Sequence, residues 1–319
     1  MEAGTKKIEM KRYQDTNNMT QKFKMKNSRT KKLLLQICIL LTAYCLLFLG
    51  CEKNISIDVP APPDKLVVEG FIETGSFPYV ILTKNSAYYS TFNLTDINKY
   101  FVHNALVKIT DGTDTITLQE ISLDTAGVQV SVYIGLGMIG QVGKTYSLHI
   151  EAEGKTVDAV TSILPSIPLD SIWVVFNENP DFPDKVRMYC QLTDPPELGQ
   201  YVRYFTKVDS EVFKPGLSSV FDDALINGTT FKFPLDRGYN RNDSIDFDSY
   251  GLFNKGDTIT LKWCNIEKAH FDFWRTLEFS LGSQGNPFSS PLEIKSNIVG
   301  GLGIWGGYSP SYKTIIVPQ

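Results

Sequence analysis

From Lys65 onward the chain predicts an all-β, mainly antiparallel fold of two sandwich-like domains. Three observations carry this. Apolar and polar residues alternate through many runs of strand length, which puts one face of each strand into a core and leaves the other wet. Turn dipeptides such as Asp111-Gly112, Glu153-Gly154 and Lys255-Gly256 separate these runs at the spacing of a sandwich. Only the stretch near 266–281 carries the helical period.

The elements follow in order. Leu66-Val67-Val68 and Phe71-Ile72 form the first run, and Tyr79–Leu82 the second, ended by polar Lys84-Asn85-Ser86. A polar and aromatic insert covers Ala87–His103. Leu106–Ile109 and Thr115–Leu118 flank a turn. Val128–Tyr133, Thr145–Ala152 and Thr156–Ile163 complete a first domain, 65–164, patterned like an immunoglobulin-like or carboxypeptidase-regulatory-like sandwich. Pro165 and Pro168 mark the boundary to a second domain, 165–319. Its strands are Ile172–Phe176, Val186–Leu192, Tyr201–Val208, Thr258–Cys264 and Lys313–Val317, with a polar region, Asp209–Tyr250, around Phe231-Lys232-Phe233.

The second domain also carries the helix. Ile266, Ala269, Phe273, Leu277 and Leu281 recur at three- and four-residue steps. Asn265 can cap it and Gly282 can stop it. Phe271, Phe273, Trp274 and Phe279 are too many aromatics for one stripe, so some face another domain or a partner. Near the end, five glycines between 300 and 307 surround Trp305 and predict a bulged strand or a tight crossing.

Ahead of these domains lies a leader. The basic stretch Lys26–Lys32 precedes an apolar run, Leu33–Gly50, and then Cys51. A run of this length is also close to the 20 or so residues of a membrane-spanning helix. The small residue Gly50 before Cys51, and the polar tether that follows to residue 64, favour a lipoprotein signal cut between Gly50 and Cys51. Phe48 and Leu49 are larger than the pair such a signal prefers. Met25 starts a normal basic region, so residues 1–24 read as an upstream extension. The expectation is a signal segment at 1–50, a lipidated Cys51 heading a tether at 51–64, and anchoring to the lipid of the outer membrane.

The region beyond Cys51 holds 21 Lys/Arg against 32 Asp/Glu, a formal net charge of −11. A body of that sign has no global attraction to nucleic acid or to anionic head groups. Cys190 and Cys264 lie in apparent strands, and the sequence leaves open whether they bond or pack as thiols.

Motifs for chemistry are sparse. Gly135–Gly140 and Gly301–Gly306 match GxGxxG, but neither opens a helix, which a dinucleotide loop requires. Asp246, Asp248, Gly251 and Asp257 imitate part of a calcium loop. Tyr250 stands at a ligand position, and alternation there points Ile245 and Phe247 inward and the aspartates outward. His103, His149 and His270 stand in separate elements, without zinc spacing. No cofactor, metal or catalytic residue is expected. The candidate binding residues are aromatic: Tyr88, Tyr89 and Phe92 in the insert, and Trp305 and Tyr308 near the end.

Several segments together resemble a known family: KLVVEGFI (65–72), ALVKITDG (105–112), QVGKTYSLHIEAEGK (141–155), LPSIPLDSI (164–172), GDTITLKW (256–263), FDFWRTLE (271–278), NPFSSP and SNIVGGLGIWGGYS. Their order is similar to domain of unknown function family 4249, envelope lipoproteins of Bacteroidota, over nearly all of 51–319. The resemblance implies a non-catalytic outer-membrane lipoprotein, encoded near TonB-dependent transporters, that serves as an accessory or substrate-binding subunit of such a barrel. A surface glycan- or peptide-binding adhesin is the second expectation, and a hydrolase built from distant carboxylates the third.

Overall fold

The computed structural model describes residues 63–86, 94–125, 128–241, 243–283, 288, 290 and 292–319, with seven residues between 35 and 44. The chain falls into two compact units, Met1–Pro60 and Ala61–Gln319. In the first, the described residues, among them Leu35, Ile37, Leu40 and Tyr44, are helical and exposed. Among the described residues, no helix is long and apolar enough to cross a membrane. Gly50, Cys51, Tyr88, Tyr89 and Phe92 lie outside the described residues.

The second unit is all-β, with a single α-helix among its described residues. Its first strands are β1 (Leu66–Glu73), β2 (Tyr79–Lys84), β3 (Leu106–Thr110), β4 (Thr115–Thr117), β5 (Gln119–Thr125) and β6 (Val128–Ile134). Next come β7 (Thr145–Ala152), β8 (Lys155–Ser162), β9 (Ser171–Phe176), β10 (Lys185–Thr193) and β11 (Tyr201–Val208). The last are β12 (Lys214–Asp222), β13 (Thr230–Leu235), β14 (Phe253–Asn254), β15 (Thr258–Ile266), the helix α1 (Lys268–Gly282) and β16 (Leu302–Ile316). A 3-10 helix, Leu94–Tyr100, lies within the polar insert.

An eight-stranded sheet, ordered β12-β11-β15-β16-β1-β2-β6-β5, runs through the whole unit. Four of its strands come from 65–164 and four from 165–319. They meet where β16 pairs in parallel with β1, Val67 opposite Leu302 through Glu73 opposite Tyr308. The far half of β16 pairs antiparallel with β15. Alternation then assigns the two faces. On one face Leu66, Val68, Val80, Leu82 and Trp305 meet the sheet β4-β3-β7-β8 through Val107, Ile109, Tyr146, Leu148 and Val157. On that same face Val202, Tyr204, Ile259, Leu261 and Trp263 meet the sheet of β13, β10, β14 and β9 through Val186, Met188, Cys190 and Leu192. Each half of the chain therefore surrounds a core of its own. The opposite face of the long sheet carries α1, packed on Phe71, Cys264, Ile266, Ile304 and Tyr308.

Some local expectations change. Asn265 does not cap the helix. It is the penultimate residue of β15, and its Oδ1 accepts the Ile167 N–H at 2.6 Å. Glu267 holds the N-cap position and makes no capping bond, because its carboxylate accepts from Thr161 Oγ1 (2.7 Å) and Ser162 N (2.9 Å) instead. The helix thus starts where the chain is tied to β8. Gly282 lies inside the helix, and its buried stripe is His270, Phe271, Phe273, Trp274 and Glu278, rotated from the expected one. Phe247 is exposed, not inward, because 243–246 are irregular and 247–250 form turns, so strand alternation has no meaning there.

Three glycines of the run near Trp305, Gly303, Gly306 and Gly307, belong to one strand of 15 residues, and Gly300 and Gly301 precede it. The strand is glycine-rich because it is crowded on both faces. A Cβ at Gly307 would press on the Ser162 carbonyl of β8, and one at Gly306 on the His270 ring of α1. Cys190 and Cys264 are free thiols, both buried. Burial pushes the Cys264 thiol up to about 12 and the Cys190 thiol up as well.

Candidate binding recess

The described residues enclose two marked concavities. The larger, about 1410 Å³, wraps the β12 edge beside α1 and is lined mainly by apolar residues such as Phe221, Phe231, Phe279 and Leu225. The smaller, about 630 Å³, lies on the helix-bearing face of the long sheet and holds the concentrated chemistry. Six adjacent strands line it, β12 through Lys214 and Pro215 at its start and the other five through residues of one parity, which point to the same side. β1 supplies Glu69, Phe71 and Glu73, β2 Tyr79, β11 Arg203 and Phe205, β15 Lys262, and β16 Tyr308. Trp274 of α1 and Tyr239–Arg241 close the sides.

Arg203 is the central group, 3 % exposed. Its guanidinium carbon lies 3.4 Å from the centre of the Trp274 ring and 4.7 Å from that of Phe205. Nε donates to Ser219 Oγ at 3.1 Å, and Nη1 donates to the Tyr308 hydroxyl at 2.7 Å. Two of the five guanidinium N–H donors are so engaged. Among the described residues, no carboxylate forms an ion pair with it. A buried charge without a close counter-charge is costly, so it is held by stacking and neutral acceptors.

The surrounding charges are mostly matched. Lys262 pairs with Glu73. Arg241 pairs with Glu278 at 3.2 Å. Glu278 also accepts from Ser219 Oγ (2.5 Å) and Ser219 N (2.9 Å), which orients the serine hydroxyl to receive Arg203. Glu69 is the exception. It is reached by solvent, yet forms no hydrogen bond or close ion pair among the described residues. Enclosure by protein raises its pKa, while Arg203 and Arg241 pull against that rise. The aromatic walls are equally confined: burial raises the pKa of both Tyr79 and Tyr308.

Of the aromatic candidates, Tyr308 lines this recess. Trp305, one residue parity away, does not. It is fully buried against the other face, where its indole N–H donates to the Tyr146 carbonyl at 3.0 Å. Sequence reading passed over Arg203 and Glu69. The signal was present: β11 reads Tyr-Val-Arg-Tyr-Phe and β1 reads Glu-Gly-Phe-Ile-Glu, each alternating charge with aromatics on one face. What the sequence lacked was the pairing that brings those two faces together. Among the described residues, no group of three or more His, Cys, Asp or Glu side chains is placed to hold a metal.

Over the described residues of 61–319, the fold and recess together define an all-β body with one α-helix and an aromatic, charge-lined hollow. The chain belongs to the family described as Domain of unknown function (DUF4249), whose model matches residues 52–314. No curated protein matches the chain.

Proposed function

We propose that this chain is a lipid-anchored envelope protein, held at the outer membrane through Cys51, whose folded body is a non-catalytic binding subunit of a TonB-dependent transporter. The order of basic stretch, apolar run, Gly50 and Cys51, followed by a polar tether, supports the anchor. The recess supports binding. Its guanidinium is buried and oriented without a close carboxylate, which is a group held ready for something outside the chain. The transporter is the partner that the family resemblance implies, and the acidic body has no affinity for nucleic acid to suggest otherwise. Affinity purification of the full chain from envelopes in mild detergent tests the partnership. Recovery of an outer-membrane barrel is the expected result, and its absence overturns the transporter reading.

A further inference from the structure

The recess also states what it can take. Its built-in pairs, Lys262 with Glu73 and Arg241 with Glu278, cancel internally. Among the described residues, one cation and one carboxyl of the recess remain without a close counter-charge, Arg203 on β11 and Glu69 on β1. The volume, about 630 Å³, is that of a small-molecule pocket. Phe71, Tyr79, Phe205 and Tyr308 line the same recess, flat apolar faces suited to a ring or an extended side chain.

We infer that the recess binds a small organic molecule carrying a carboxylate, with that carboxylate on the Arg203 guanidinium and a hydroxyl or ammonium donor of the same molecule on Glu69. A guanidinium presents parallel N–H donors that match a carboxylate's two oxygens, and its fixed orientation on Trp274 removes the entropy that binding would otherwise cost. A ligand with a carboxylate alone would leave Glu69 without a donor. A neutral ligand would leave Arg203 uncompensated. A uronic sugar and a short peptide terminus share the required chemistry. This inference rests on the body being a binding subunit, and it names the class of ligand.

The test uses the full chain and four probes, followed by NMR of the arginine Nε–H signals. Benzoate and benzamide share shape and differ in charge. Benzoate is expected to shift the Arg203 signal and to bind roughly tenfold or more tightly than benzamide, the scale of a charge-assisted hydrogen bond. Glucuronate and a dipeptide with free termini then separate the two sources by which binds more tightly. Glu69→Gln is expected to weaken the donor-bearing probes relative to benzoate. Equal binding of benzoate and benzamide, or no shift of Arg203 with any carboxylate, overturns the inference. This comparison uses the unmodified chain and does not depend on any variant folding. A barrel that co-purifies with a chain whose recess ignores carboxylates would sink this inference alone and leave the partnership standing.

Discussion

The imidazole of His270 fills the space over Gly306 in which any other residue would carry its Cβ. The ring is buried, lies 4.6 Å from the Tyr308 ring centre and stacks near Phe71. This contact sets how closely α1 lies on β16, and so fixes Trp274 over Arg203.

Gly306→Ala is therefore expected to destabilise the fold by about 2 kcal/mol, the scale of overpacking a dense core. Gly306 has no positive φ, so the cost is spatial and not conformational. Shortening the ring side should relieve it. In a double-mutant cycle by urea unfolding, His270→Ala with Gly306→Ala should cost less than the sum of the two single changes. Strict additivity would show that the contact is unimportant.

His270 also predicts a pH response. Burial and the Arg203 charge hold its pKa well below the ordinary value of 6.5, with the Gly307 backbone working weakly the other way. The unfolded chain thus takes up the proton first. Stability from this group is complete above about pH 6.5 and declines as pH falls below it, at most about 1.4 kcal/mol per unit. The difference in unfolding free energy between the chain and His270→Asn should narrow as pH drops from 7 to 5. A constant difference would contradict the buried neutral ring.

Glu267 ties the start of α1 to β8 through Thr161 and Ser162. Glu267→Ala removes Oε2, the one oxygen that accepts both bonds, and leaves the buried Thr161 hydroxyl, 1 % exposed, without its acceptor. A loss of about 1–3 kcal/mol follows. Glu267→Gln, which keeps one acceptor oxygen, should recover part of it. Indistinguishable melting of all three chains would refute this role.

The long strands were legible because their alternation is strong, as in β7 and β8, where every second residue is buried. The strands missed were of two kinds. β5 (Gln119–Thr125) and β12 (Lys214–Asp222) are polar or irregular edge elements, formed because β6 and β11 offer them hydrogen bonds. The first half of β16 reads as a bulged strand or tight crossing separate from Lys313–Val317, because crowding by α1 and β8 selects against side chains there and hides its continuity with the last strand. The recess was illegible for a related reason: Arg203 and Glu69 lie 134 positions apart, and only the parallel pairing of β16 with β1 closes that gap.

Cys190 and Cys264 should resist alkylation in the native state, since both are buried and burial holds both thiols protonated. Mass spectrometry after iodoacetamide treatment should show neither labelled until the chain is unfolded. Rapid labelling, or a Cys190–Cys264 disulfide in purified material, would contradict the two separate buried sites.

The anchor at Cys51 is the claim on which the envelope reading depends. Cys51→Ala, expressed beside the unmodified chain with a radiolabelled fatty acid and followed by outer-membrane fractionation, tests it most directly. The account predicts that only the unmodified chain carries label and sediments with the outer membrane, while the variant loses both. An unmodified chain without label, or a variant that stays in the outer membrane unchanged, would contradict it.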